Sequence, residues 1–134
     1  MNWPSSTQPD VLFPSFKGTE DGAVPQFPID EPAWRILDPA HSMGIKFQMN
    51  QLSGTIACDN PGFFTAGEGI IIDATATVEA GAYIIGPCYI GPHAVVRSGA
   101  YVREYSWICT GAVVGHSTET KHSILLPGAK APHF

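Results

Sequence analysis

From Ile72 onward an aliphatic residue returns every six positions: Ile72, Val78, Ile84, Ile90, Val96, Val102, Ile108 and Val114. Four positions after each stands a small residue, namely Ala76, Ala82, Cys88, Ala94, Ala100, Ser106, Ala112 and Thr118. An α-helix repeats at about 3.6 residues and a single strand at about 2, so neither accounts for the spacing. A short fixed period is the mark of a solenoid, and a hexad is that of a parallel β-helix, in which three hexads close one coil. Residues one coil apart then stack as Ile72/Ile90/Ile108, Val78/Val96/Val114 and Ile84/Val102 inside, with Ala76/Ala94/Ala112 at a corner. Gly81, Gly99 and Gly111 fall where a tight corner calls for positive φ, a slot that Pro87, His93, Tyr105 and Ser117 share. Thr120 breaks the aliphatic series, and Lys130 would land on a small inward position if the register ran on, so a loop or bulge is expected between them.

Ahead of the repeat the pattern is different. Residues 1–65 carry eight of the twelve prolines, with frequent Gly, Ser, Asp and Asn, and read as an irregular arm. One short helix is expected from Asp30 to Leu37, capped by Asp30, with Pro32 early and Trp34 and Leu37 on one face. Gly44–Met49 and Thr55–Cys58 read as short strands. The arm is expected to cover the open end of the solenoid, where bare strand edges invite aggregation. Trp3 and Phe13 suit either the solenoid's flank or a second subunit. The expected division is thus an arm or cap over 1–65 and a β-helix domain over 66–134.

Composition narrows the function. One domain fits 134 residues, and 44% hydrophobic content suits a folded chain. A net charge of −5 supplies no basic stripe for nucleic acid. No run approaches the ~18 apolar residues of a membrane span, and MNWPSSTQPD lacks the basic start and apolar core of a signal peptide, so a cytoplasmic protein is expected. Cys58, Cys88 and Cys109 form no C-x-x-C pair, which fits a reducing compartment.

The candidate chemistry lies among residues that the repeat does not demand. Arg97 and Arg103 directly follow inward valines and so point outward, and the tail GHSTETKHSILLPGAKAPHF adds Lys121, Lys130, His116, His122 and His133. Glu79, one coil from Arg97 in its column, offers it an ion pair, while Arg103 and Lys121 share a column and either hold an anion or stand as solvated tips. In an undisturbed register 97, 115 and 133 also share a column, leaving Gly115 as an open gap between Arg97 and His133.

GPHAVVRSGAYV (91–102) followed by that tail resembles the left-handed β-helix domain of bacterial glucosamine-1-phosphate acetyltransferase/N-acetylglucosamine-1-phosphate uridyltransferase. It resembles more closely the short sugar-phosphate nucleotidyltransferase-like proteins built on the same domain. The similarity covers residues 66–134 and runs through the last twenty without a gap. It implies an all-β fold, a left-handed parallel β-helix, assembled as a homotrimer. It also implies transfer of an acetyl group from acetyl-CoA to an amino-sugar 1-phosphate on the UDP-N-acetylglucosamine pathway. Three roles come with it: Arg97 of Arg97-Ser98-Gly99 matches the arginine that binds the sugar phosphate, Lys121 of Glu119-Thr120-Lys121 a substrate-binding lysine, and His133 of Lys130-Ala131-Pro132-His133 the general base. No metal is implied. The types suit the roles, since a guanidinium grips phosphate with two parallel hydrogen bonds and an imidazole accepts an amine proton near neutral pH.

The chain departs from the family at Ser98 and Pro132, and at Phe134 it lacks the family's following tyrosine, asparagine and lysine, so the β-helix domain reads as C-terminally incomplete. It has no G-x-G-T-R-M loop of a uridyltransferase domain. These departures support a competing reading, a catalytically incomplete trimerisation or structural module. A third reading takes His93, His116 and His122 as the three zinc ligands of a γ-class carbonic anhydrase, which shares the fold.

Overall fold

The computed structural model of the chain describes residues 3–133. Its centre is a parallel β-solenoid of about four coils, each contributing one short strand to each of three four-stranded sheets. Sheet 1 contains β1 (Phe64–Ala66), β4 (Tyr83–Ile85), β7 (Tyr101–Val102) and β10 (Glu119–Thr120). Sheet 2 contains β2 (Ile70–Ile72), β5 (Cys88–Ile90), β8 (Ser106–Ile108) and β11 (Ser123–Leu125). Sheet 3 contains β3 (Thr77–Val78), β6 (Val95–Val96), β9 (Val113–His116) and β12 (Lys130–His133). Every strand pairs in parallel with the one three places on, as the expected all-β helix of hexapeptide repeats requires.

The inward columns are those the hexads predict. Ile72, Ile90 and Ile108 pair in succession, as do Val78, Val96 and Val114, and Ile84 pairs with Val102. All eight are fully buried, with Ala76, Ala82, Ala94, Ala100 and Ala112 filling the corners between them. Burial pushes the thiol of Cys88 up to about 12, so it sits in the core as a neutral, small apolar filler. Positive φ recurs at the corner slots Gly81, Gly99, Gly111, His93, Tyr105 and Ser117, whereas Pro87, whose ring fixes φ, departs from it.

The register change is a deletion rather than the expected loop or bulge. Tyr83↔Tyr101 and Ser106↔Cys88 are 18 residues apart, but Ser123↔Ser106 and Lys130↔Val113 are 17. Two residues, Lys121 and His122, make the corner between β10 and β11 where Arg103, Glu104 and Tyr105 make the one below. The shorter corner sets Leu125 over Ile108 and Ala131 over Val114, and turns Lys130 outward beside Val113. An ammonium is thereby kept out of the core, where burying it costs far more than losing one corner residue.

The arm differs from expectation in three elements. Asp30–Leu37 is a 3₁₀ helix over Ala33–Leu37 only, preceded by Pro32 and with no side-chain cap from Asp30. At about three residues per turn it buries Ala33 and Ile36 and leaves Trp34 and Leu37 exposed. Gly44–Met49, read as a strand, is instead an α-helix, α2 (Ile45–Met49), following a short α1 (Pro9–Leu12). Ile45, Phe47 and Met49 fit a period of two, but Ile45 and Met49 also fit i, i+4, and burial of those two against the solenoid selects the helix. Thr55–Cys58 contributes a single bridge, Ile56 to Ile72.

Most of the arm lies along the solenoid's flank instead of over its end. The outward column of sheet 2, Ile71, Tyr89 and Trp107, packs with Ile36, Ile45 and Met49 in a second apolar cluster. Tyr89 Oη accepts the Ala23 N–H at 2.7 Å and Trp107 Nε1–H donates to the Ala23 carbonyl at 3.0 Å. Trp3 meets Trp34 edge-on and Phe13 stacks on Phe27, so both arm aromatics pack within the chain. Among the described residues the end is covered by the segment before β1, where Cys58 and Phe63 pack on the first coil and Asn60 Oδ1 accepts the Val78 N–H. Among the described residues no helix is long and apolar enough to cross a membrane.

Candidate functional site

The hexads place two of the three candidate residues on one edge. The chain leaves sheet 3 through a corner into sheet 1, and successive coils stack there as Glu79/Arg97/Gly115/Pro132 and, one position on, Ala80/Ser98/His116/His133. Arg97 follows the buried Val96 and is therefore turned outward, with its side chain about half exposed. Its Nε donates to Glu79 Oε1 at 3.1 Å, the ion pair that the 18-residue stacking offered. The same carboxylate oxygen accepts the Ser98 N–H at 2.9 Å. That backbone bond, followed by the Arg97 contact, holds the Glu79 carboxyl below its ordinary pKa.

His133 is exposed on this edge as the register partner of His116. The one-residue deletion moves it out of the Arg97 column, whose fourth member is Pro132. Gly115 is consequently not a gap: a Cβ there would run into the Pro132 carbonyl, so glycine permits close approach of the fourth coil. His116 is held in place, with Nδ1 lying 2.6 Å from the Ser98 carbonyl. A carbonyl only accepts, so Nδ1 carries the proton and Nε2 of the neutral ring is the basic nitrogen. No sequence motif pointed to this bond, although the 18-residue spacing of Ser98 and His116 contains it. Beside the corner a depression of about 330 Å³ lies over sheet 1, lined by Gly81, Tyr83, Gly99, Ala100 and Tyr101.

Lys121 is not brought to this edge within one chain. It is exposed on the corner where the chain leaves sheet 1, across that sheet's width from Arg97 and His133. Arg103, one coil below it, is not a solvated tip. Its guanidinium lies 5.5 Å from the Tyr101 ring centroid, and its nitrogens are 3.7 Å from both Glu104 and Glu119. These carboxylates take the place of an anion shared with Lys121.

The three histidines of the zinc reading occupy three different corners. His93 lies between sheets 2 and 3, and His116 ends β9 at the corner from sheet 3 into sheet 1. His122 lies between sheets 1 and 2, where its Nε2 donates to the Leu37 carbonyl at 2.7 Å. Among the described residues no group of three or more His, Cys, Asp or Glu is placed to hold a metal ion.

The fold and repeat thus define a parallel β-solenoid of the hexapeptide-repeat type. Comparison with family models, with characterised proteins and with solved structures gave no match to this chain.

Proposed function

We propose that this protein is a cytoplasmic hexapeptide-repeat transferase that moves an acetyl group from acetyl-CoA to the amine of an amino-sugar 1-phosphate. The observation that carries the reading is the shared edge. An outward, half-exposed arginine and an exposed histidine, matched by motif to a phosphate binder and a general base, stand in neighbouring columns beside a depression edged by Tyr83 and Tyr101. Arg97 retains its Nη donors for a phosphate while Nε stays with Glu79. The amine attacks the thioester carbonyl, His133 takes the amine proton, and the C–S bond breaks to release CoA as its thiolate, which is then protonated. Lys121 stands on the other corner of sheet 1, so a site that uses it together with Arg97 is built between subunits, which accords with a homotrimer.

A second reading has one specific observation in its favour. Glu79 already neutralises Arg97, as in a solenoid edge that serves only structure or trimerisation. Acetylation of glucosamine-1-phosphate by acetyl-CoA separates the two, together with the mass of the native particle. The transferase reading expects turnover that falls by roughly 10²–10⁴ in His133→Ala, and a KM for the sugar phosphate that rises in Arg97→Ala. A trimer without turnover establishes the structural module instead.

A further inference from the structure

Two of the solenoid's outward faces carry aromatic columns, and the fold treats them differently. On sheet 2, Tyr89 and Trp107 are buried under the arm. On sheet 1 the outward column is Phe64, Tyr83 and Tyr101, which pair in succession on neighbouring coils. Here Phe64 and Tyr83 are 60% and 43% exposed. Phe64 and Tyr83 lie at 26° to each other, but Tyr101 is turned to 76° from Tyr83 with ring centroids 5.5 Å apart. The two tyrosines therefore make a notch of one ring face and one ring edge. The Arg103 guanidinium, 5.5 Å from the Tyr101 centroid, braces that ring.

Glycine opens the space beside the notch. A Cβ at Gly81 would meet nothing closer than 3.9 Å. With Gly99, Ala100 and the two tyrosines it lines the depression of about 330 Å³, and none of the five is charged. That volume is at the small end of ligand clefts, which run roughly 300–1,000 Å³, and it suits one ring rather than a whole coenzyme. Two polar side chains stand on its corner side. Arg97 precedes Gly99 by two residues, at most about 7 Å of chain, and its Nη groups lie beyond the Nε that is bonded to Glu79. His116 lays its ring on Gly99, whose Cβ, if present, would lie 3.2 Å from Cε1 and 3.3 Å from Nδ1. With Nδ1–H given to the Ser98 carbonyl, Nε2 next to Cε1 is an acceptor.

We infer that this depression is the subsite for the sugar ring of the amino-sugar 1-phosphate, an inference that rests on the transferase reading for the identity of its occupant. The pyranose lies in the notch with C–H groups against a tyrosine face, because the π face is negative and those hydrogens are slightly positive. The phosphate meets the Arg97 Nη donors, and His116 Nε2 accepts a hydrogen bond from a ring hydroxyl. A sugar 1-phosphate suits the close spacing of Arg97 and the depression because its phosphate is carried on the ring itself. The adenine of a coenzyme is set apart from its phosphates by a ribose. Tyr83, Tyr101 and His116 thus join Arg97 as substrate-binding residues.

The test reads binding rather than turnover, by isothermal titration of the whole protein with glucosamine-1-phosphate and with inorganic phosphate. The sugar phosphate is expected to bind at least about tenfold more tightly than phosphate. Tyr83→Leu and Tyr101→Leu keep apolar bulk and lose the ring. Each is expected to raise the Kd for glucosamine-1-phosphate about three- to tenfold and to leave that for inorganic phosphate unchanged, whereas a damaged fold would move both. In wild type, saturation of the aromatic protons is expected to transfer to the sugar's ring C–H protons, which probes the contact with no substitution at all. Equal affinity for the two probes, absence of saturation transfer, or an unchanged sugar-phosphate Kd in both variants overturns the proposal. If the Kd for adenosine 3′,5′-bisphosphate rises in Tyr83→Leu and that for glucosamine-1-phosphate does not, the notch belongs to the coenzyme's nucleotide. A native mass that falls in the variants at an unchanged Kd gives the tyrosines to an interface between copies, and either result overturns the subsite. The expected binding pattern without acetyl transfer sustains the subsite and defeats the transferase reading, while acetyl transfer with the Kd unmoved defeats the subsite alone.

Discussion

Glu79 shows how one side chain organises the candidate edge. Its carboxylate accepts from the Ser98 backbone and from Arg97 Nε, fixing both the corner and the direction of the guanidinium. The Ser98 bond, with help from Arg97, depresses the folded-state pKa, so near and below the ordinary carboxylate range the unfolded chain binds more protons than the folded one. The resulting stabilisation is present above the unfolded pKa and is lost as pH falls through the lower, folded one. Wild type is therefore expected to melt above Glu79→Gln at pH 7, with the two Tm values converging as the pH is taken below about 4. A gap that widens on acidification contradicts the assignment. Arg97 itself was legible in sequence because its outward direction follows from the hexad and its partner from the 18-residue stacking. The bond from His116 to Ser98 was not, since spacing brings two residues together without saying which way an imidazole turns.

At the scale of elements, corners and strands answer differently to a change in length. The corner between β10 and β11 has two residues where the one below has three, and the pairing on either side of it is intact. A glycine inserted between Lys121 and His122 restores the longer corner and is expected to leave stability within about 0.5 kcal/mol. The same glycine inserted between Ile124 and Leu125 takes Leu125's place over Ile108 and sets later side chains out of phase. It is expected to cost on the order of 2 kcal/mol or more in urea denaturation. Equal effects of the two insertions would refute the account of the register change. This deletion also moves His133 out of the column that an undisturbed register gave it. The order of residues along a chain is fixed by sequence, whereas the column a residue joins depends on how many residues each corner consumes.

On the scale of the whole molecule, the arm and the solenoid are joined through Trp107, which is 1% exposed, packs on Tyr89 and arm residues, and donates to Ala23. Truncation to Ala leaves a cavity between the two parts and is expected to cost ~3–5 kcal/mol. Trp107→Phe, which keeps most of the packing and loses the hydrogen bond, is expected to cost closer to ~1 kcal/mol. Near-neutrality of Trp107→Ala in a chemical denaturation series would show the arm to be a passenger. The hexads by themselves determined the solenoid, its stacked aliphatic columns, its positive-φ corners and the outward aim of Arg97, because each follows from spacing along one stretch of chain. Only the tertiary structure decided that Ile45–Met49 is helical, that the arm runs along the flank, that Pro32 and not Asp30 precedes the 3₁₀ helix, and that Lys121 stands apart from Arg97 and His133. The arm's segments are too short to hold a conformation alone, and what they bury against Ile71, Tyr89 and Trp107 is a long-range contact that no local pattern records.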